Sequence, residues 1–305
     1  MKPEVWPAPA KLNLFLRVTG RRPDGYHTLQ TVFQFVDLCD EIRVTVRRDG
    51  VIRRRVDLPG VPPEQDLVVR AARLLQRASG TPLGADLAVV KRIPMGGGLG
   101  GGSSDAATTL VALDRLWGLR LGEDRLAALG LSLGADVPVF IRGRAAWAEG
   151  VGERLQPVAL DEPWYLIVHP GAAVSTAVVF GDPELTRDGA PLRIRGLFRG
   201  GGEGFPRATV SELLAATGND CEALVRRRFA AVDAVLGWLE SRTPARLTGT
   251  GACVFAALGS EDEARGLARA LPAPWRGFVA RGMNLSPLAA LAAGGPPDGR
   301  VGLVD

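Results

Sequence analysis

Three cysteines, Cys39, Cys221 and Cys253, are all that the 305 residues contain. They are odd in number and scattered, with no metal-ligand spacing, which excludes a disulfide framework and a cysteine metal centre. Each is expected as a small buried apolar residue. The chain also lacks an apolar run of membrane-spanning length, and its first residues, MKPEVWPAPAK, lack the apolar core of a signal peptide. A cytoplasmic place with no membrane partner is expected. Strong charge of one sign is missing too, the net charge being +4 and the pI near 9.3. That mild, diffuse positive balance suits an anionic small molecule and argues against nucleic acid. Arg53, Arg54 and Arg55 do cluster, but in a strand-like segment after an Asp49-Gly50 turn, the pattern of a solvated edge strand. There is no Gly-Lys-Ser/Thr Walker A run and no HRD or DFG block, so neither a P-loop NTPase nor a protein kinase is expected.

Glycine, by contrast, is plentiful. Six of the 39 stand between Gly96 and Gly102 in PMGGGLGGGSSDAA (94–107), where only Leu99 interrupts them. Backbone without Cβ atoms reaches left-handed conformations and approaches a ligand closely. Ser103, Ser104 and Asp105 then lead into AATTLVALDRLWG, whose Ala106, Leu110, Leu113 and Leu116 recur at helical spacing. A glycine loop feeding a helix start offers free N–H groups and the positive end of the helix dipole, which together make an anion site. A linker would not be bracketed by a strand-like ADLAVVK and a patterned helix. Phosphate binding is the expectation.

The length allows two domains, and 46% hydrophobic with 23% charged residues marks a globular chain. Residues 11–19, KLNLFLRVT, alternate: Leu12, Leu14, Leu16 and Val18 share one face, Lys11, Asn13, Arg17 and Thr19 most of the other. On pattern alone that polar face is a solvated surface before it is a catalytic pair. Pro23-Asp24-Gly25 turns the chain and delivers Tyr26 and His27, which would either hold a flat heterocycle or serve the structure alone. Strands are expected over 31–37 and 41–48, with Asp49-Gly50 closing a hairpin onto 51–58. A helix follows, with Asp66 as N-cap and Gly80 as its end. Strand 86–91 ends in Lys91-Arg92, two cations that would face solvent or nucleotide. Helices are expected over 104–117 and 123–134, and Asp136, two residues before Pro138, reads equally as an N-cap or a catalytic carboxylate. Beyond residue 158, WYLIVHP is a short buried strand, and Thr176 and Phe180 enter a loop or short helix, Phe180 as a core residue. The Gly- and Arg-rich 186–208 is expected as a loop or partly disordered insertion. One long amphipathic helix over 220–240 follows, then strand 252–258, helix 261–270, strand 277–280 and a flexible tail from Ala289.

Three blocks in this order, PAPAKLNLFLRVTGRRPDGYHTL (7–29), PMGGGLGGGSSDAA (94–107) and LTGTGACVFA (247–256), resemble the GHMP family of small-molecule kinases. The family is named for galactose, homoserine, mevalonate and phosphomevalonate kinases. LGADVPVFIRG (133–143), EGVGE (149–153) and NLSP (284–287) extend the similarity over nearly the whole chain. The first block is more specific than the family and resembles members that phosphorylate a cytidine-diphosphate alcohol. The resemblance implies a two-domain α+β fold. Residues 1–158 would form an ATP-binding α/β domain of the ribosomal S5 domain 2-like type, and residues 159–305 a ferredoxin-like α+β domain on the substrate side. Lys11 and Asp136 map onto the catalytic lysine and carboxylate. ATP is implied as cosubstrate, with Mg2+ accompanying it and no protein metal ligand assigned. Its contacts carry over to Pro94, Met95, Gly96, Gly97, Gly98, Leu99, Gly100, Gly101, Gly102, Ser103 and Ser104, with Lys91, Asp66 and Leu67 beside them. Asn13, Tyr26, His27, Thr176 and Phe180 fall where the cytidine-diphosphate alcohol is held. Asp66 stands where close relatives often have asparagine, so an extra carboxylate would alter the contacts open to the base. The 186–208 stretch is longer than the family pattern. The expected partner is a small molecule, and the expected state a monomer or weak homodimer.

Two other classes fit less well. Gly96, Gly98 and Gly101 satisfy the G-x-G-x-x-G of nicotinamide oxidoreductases, but a run of six glycines does so almost automatically, and the loop lies well past the first strand. A binding module without catalysis would lack Lys11 or Asp136, and both are present. A GHMP kinase for a different alcohol would share the glycine loop and differ in the KLNLFL and PDGYH blocks.

Overall fold

The computed structural model describes residues 3–200 and 204–293. Two long antiparallel strands, β1 (Glu4–Arg21) and β2 (His27–Arg47), form its backbone. Ala10, Leu12, Leu14 and Phe15 of β1 are all fully buried, because the sheet is covered on both faces. Next come β3 (Ile52–Arg54), α1 (Leu67–Ser79) and β4 (Gly84–Val90), with β3 parallel to β4 and β4 antiparallel to β2. Then α2 (Gly101–Leu116), α3 (Glu123–Leu131) and α4 (Val137–Arg142) precede a hairpin of β5 (Ala146–Glu149) and β6 (Arg154–Pro157), which pairs with β2 through β5. The glycine loop thus leads into α2 outside any βαβ unit, unlike a dinucleotide fold.

The second half runs β7 (Ala159–Leu160), β8 (Trp164–His169), α5 (Thr176–Gly181), α6 (Ile194–Leu197), β9 (Arg207–Ala208), α7 (Val210–Ala216), α8 (Glu222–Arg228) and α9 (Ala230–Glu240). It finishes with β10 (Arg246–Leu247), β11 (Val254–Leu258), α10 (Glu261–Arg269), β12 (Arg276–Met283) and α11 (Pro287–Ala292). Its sheet order, β10-β11-β8-β12 with antiparallel neighbours, is the expected ferredoxin-like βαββαβ arrangement. The two halves share one ten-stranded sheet, since Gly282 and Met283 of β12 pair with Val36 and Phe35 of β2. Among the described residues no helix is long and apolar enough to cross a membrane. The three cysteines are free and buried, as expected.

Several elements differ from expectation. The segments 31–37 and 41–48 are one strand. Cys39 pairs with Pro9 and Val36 with Ala10, so a bulge accommodates Asp37 and Leu38 without ending β2. The hairpin through Asp49-Gly50 does not close. Gly50 turns at φ 71°, but β4 sits between β2 and β3. The inner position requires the alternating buried Ala85, Leu87 and Val89, while the arginines of 53–55 suit only the edge. The helix expected over 220–240 breaks at Phe229 (φ −130°, ψ 86°), which turns Val232, Val235, Leu236 and Leu239 onto the sheet.

In its described residues the 186–208 stretch is docked. Gly189 N donates to Val18 O at 3.0 Å and Leu192 N to Gln30 Oε1 at 2.7 Å. Phe198 is buried edge-on against Trp147, ring centroids 6.4 Å apart. Residues 201–203 of that expectation lie outside the described residues. The tail expected from Ala289 begins as the end of α11, whose Ser286 cap accepts from Ala289 N at 3.1 Å. Residues 294–305 lie outside the described residues.

Candidate active site

Local backbone chemistry shapes the glycine run first. Gly96, Gly98 and Gly100 take φ of 69°, 75° and 72°, left-handed values that side chains resist. The loop is clasped from two sides. Leu99 O accepts from Lys11 N at 3.0 Å, while Gly96 O and Gly97 O accept from Ala252 N (3.1 Å) and Cys253 N (3.0 Å). A Cβ on Gly98 would lie 2.4 Å from Thr248 O, and one on Gly100 would lie 2.7 Å from the Phe140 ring. Gly100 is the N-cap, with no side-chain cap bond, so α2 begins at Gly101 rather than near Ser104. Ser104 N already donates to Gly100 O at 2.8 Å, leaving the N–H groups of Gly101, Gly102 and Ser103 without helical partners.

Lys11 and Asn13 are not a solvated face. They are 3% and 4% exposed beneath the loop. The Lys11 ammonium donates to Asn13 Oδ1 and to Gly98 O (3.1 Å) and pairs with Asp136 Oδ2 at 3.3 Å. Asn13 is held in turn, its N donating to Thr248 Oγ1 at 2.9 Å and its Nδ2 to Thr31 Oγ1 at 3.0 Å. Asp136 occupies the N-cap position of α4 but makes no cap hydrogen bond. Its carboxylate turns to Lys11 instead.

Behind the loop, Lys91 joins two buried carboxylates, Asp40 and Asp105, the latter at 2.7 Å. Burial lowers the affinity of Lys91 for its proton, but the two carboxylates raise it more, and the net shift is upward. Burial pushes the Asp105 carboxyl up to about 7, with Lys91 opposing and Asp40 adding to the rise. Arg92 donates to Glu41 at 2.6 Å. Both cations that ended the expected strand therefore have carboxylate partners.

Across the cleft, the His27 ring stacks on Phe180, centroids 5.0 Å apart and planes 21° from parallel. Tyr26 beside them is 62% exposed. Thr176 lies within hydrogen-bond distance of Thr250, Oγ1 to Oγ1 3.0 Å. Asp66 caps α1, its Oδ1 accepting from Val68 N at 2.9 Å, and its Oδ2 lies 3.4 Å from Arg54.

One cavity of about 1010 Å³ is lined by every expected catalytic, nucleotide and substrate residue except Ser104. The Ser104 side chain is fully buried without a hydrogen-bond partner. Among the described residues no three His, Cys, Asp or Glu side chains gather as a metal site.

The family models for the GHMP kinases N terminal domain and the GHMP kinases C terminal match residues 66–144 and 206–277. The 4-diphosphocytidyl-2-C-methyl-D-erythritol kinase of Alkalilimnicola ehrlichii is 57% identical over 93% of this chain and 92% of its own. That of Ectopseudomonas mendocina is 56% identical over the same shares. A crystal structure of 4-(cytidine 5'-diphospho)-2C-methyl-D-erythritol kinase superposes with a TM-score of 0.75 at 34% identity, covering 92% of this chain and 99% of that one. The chain belongs to the GHMP kinase family.

The cleft of this GHMP kinase also holds residues that the sequence pattern left unassigned. Thr248, Gly249 and Thr250 sit beside Asn13 and Thr176, and Gly249 and Thr250 line the cavity. Their LTGTGA block was the available signal. Asp105 lines the cavity with Oδ1 buried and unpartnered. Phe33 places its ring 5.3 Å from the Lys11 ammonium, and only the strand pairing reveals it.

Proposed function

We propose that the chain transfers the γ-phosphoryl group of ATP to the 2-hydroxyl of 4-diphosphocytidyl-2-C-methyl-D-erythritol, giving the 2-phosphate and ADP in non-mevalonate isoprenoid precursor synthesis. One observation carries the reading. Asp136 and Lys11, 3.3 Å apart, lie in a single cavity with the glycine loop on one side and the His27–Phe180 pair on the other. Relatives 54–57% identical that bear this substrate in their names support the choice of alcohol.

A tertiary alcohol is crowded and weakly nucleophilic, so alignment with the phosphorus matters most. Asp136 accepts the hydroxyl proton or orients the hydroxyl. Lys11, fixed by Asn13 and Gly98 O, stabilises charge on the attacking and transferring oxygens. The N–H groups of Gly101, Gly102 and Ser103 at the start of α2 receive the phosphates. Asp66 and Leu67, at the start of α1, flank the base. Magnesium enters with the nucleotide, where it offsets phosphate charge. Asp40 and Asp105 Oδ2 pair with Lys91, and the ligands proposed for the metal are phosphate and water oxygens, with no protein ligand assigned. Tyr26, His27, Thr176 and Phe180 hold the cytidine diphosphate end. Residues 1–158 thus carry the nucleotide and 159–305 add Thr176 and Phe180 from the substrate side. All the proposed site residues come from one chain, which supports a monomer or weak homodimer, and a cytoplasmic place is part of the same proposal.

The test is ADP release with ATP and the cytidine substrate, run beside mevalonate, homoserine and galactose. Turnover with the cytidine substrate alone, and a phosphorus spectrum showing a new monoester at the 2-position, is expected. Preference for another alcohol would overturn the assignment.

A further inference from the structure

Within the Gly/Arg-rich stretch, Arg187 reaches the substrate side of the cleft. Its Nε donates to His27 Nε2 at 3.0 Å. Nη1 donates to Leu185 O at 3.1 Å and Pro183 O at 3.5 Å, and Nη2 to Phe180 O at 3.1 Å and Asp182 O at 2.5 Å. The planar guanidinium so uses all five of its donors. Two carbonyls at the end of α5 and the ring of His27 are tied to one group.

The direction of the His27 bond is settled by chemistry. Arginine only donates, and it keeps its charge. His27 Nε2 is therefore an acceptor and carries no proton. Burial lowers the basicity of the ring, and Arg187 and then Arg21 lower it further. Arg187 approaches from the loop after α5 and Arg21 from the facing position on β1, while Phe180 covers the ring from α5. A neutral ring without a proton on Nε2 holds it on Nδ1. Among the described residues nothing bonds Nδ1, and His27 lines the cavity.

We propose that Arg187 is a positioning residue that fixes His27 as the Nδ1–H tautomer and so presents one N–H donor to an acceptor atom of the cytidine diphosphate group. This rests on the substrate-side reading of His27. Without Arg187 the neutral ring is free to move its proton to Nε2, turning a lone pair toward the substrate. Protonation at lower pH then restores the Nδ1–H.

The chain has two histidines, so imidazole nitrogen spectra follow two rings. His169 Nδ1 accepts from Gly171 N at 3.1 Å, which makes its ring an internal standard for the opposite tautomer. In the unmodified protein His27 should show its unprotonated nitrogen at Nε2 and titrate below about 6.5. In Arg187→Met the midpoint should rise toward that value and the proton should move to Nε2. The KM for the cytidine substrate should rise about five- to tenfold at pH 8 and recover by pH 6, with kcat little changed. Arg187→Lys, which keeps a charged donor, should recover part of the loss. A proton on Nε2 in the unmodified protein would overturn the proposal without any variant having to fold. So would a KM rise in Arg187→Met that is equal at both pH values, the mark of a merely structural loss. Spectra that change as expected beside an unchanged KM would leave the Arg187–His27 bond standing and overturn the substrate-side reading of His27.

Discussion

Lys11 directs its ammonium at Asn13 Oδ1, Gly98 O and the Asp136 carboxylate, and it is 3% exposed. Each partner comes from a different block of the chain, so the ammonium fixes the geometry of strand, loop and carboxylate at once. Asp136 has φ −82° and ψ −14° rather than the extended backbone of an ordinary N-cap. That conformation accounts for the missing cap bond and frees the side chain for the cleft. Asp136→Asn should lower kcat by about 10²–10⁴-fold with little change in the KM for ATP, as read in a coupled ADP assay. A variant with near-normal turnover would remove Asp136 from the mechanism. Alternation in KLNLFLRVT did reveal that Lys11 and Asn13 share a side. It could not reveal that the side is interior, because the cover comes from the glycine loop and from Thr248, far along the chain.

At the scale of elements, conformation and charge are both set by close approach. Gly98 combines φ 75° with a Cβ position 2.4 Å from Thr248 O, a backbone atom that cannot swing aside. Gly98→Ala should abolish measurable binding of an ATP analogue in calorimetry and lower the melting temperature. Retained binding would mean that the loop relaxes. In the second turn of α2, Asp105 holds its proton more tightly folded than its unfolded value of about 3.9, since its native pKa is about 7. A carboxyl raised in this way costs stability progressively as pH rises from about 4 to about 7. Asp105→Asn should therefore melt higher than the unmodified protein at pH 8 and show no such gain at pH 4. An equal shift at both would contradict the coupling. Elements with local signals were legible. Asp66 and Gly80 delimit α1 as the capping pattern implies, and the glycine run precedes its helix. The hairpin beyond Asp49 was not, because β4, which begins only at Gly84, takes the place beside β2. The break at Phe229 interrupts an apolar periodicity that is itself continuous.

For the whole molecule, β2 is the shared member. Along its second edge it pairs with β5 at residues 31–33, with β12 at Phe35 and Val36, and with β4 at residues 41–47. The last helix then returns to the first half, where Leu288 is 1% exposed in the core with Leu75, Leu110 and Phe140. Leu288→Ala should cost about 2–4 kcal/mol, and calorimetry should still show one transition carrying both halves. Two separated transitions would mean that the halves unfold independently. None of this was open to a sequence reading. A strand register between positions nearly 250 residues apart leaves no local periodicity, and the ends of β12 and α11 look like any short apolar run. The glycine loop has the same divided ownership. Ala252 and Cys253, from the far half, hold the carbonyls of Gly96 and Gly97 in place. Transplanting the glycine-rich peptide into a foreign scaffold would therefore transfer its letters and not its shape, and hybrids spliced from two relatives should keep their nucleotide only where both segments share one parent.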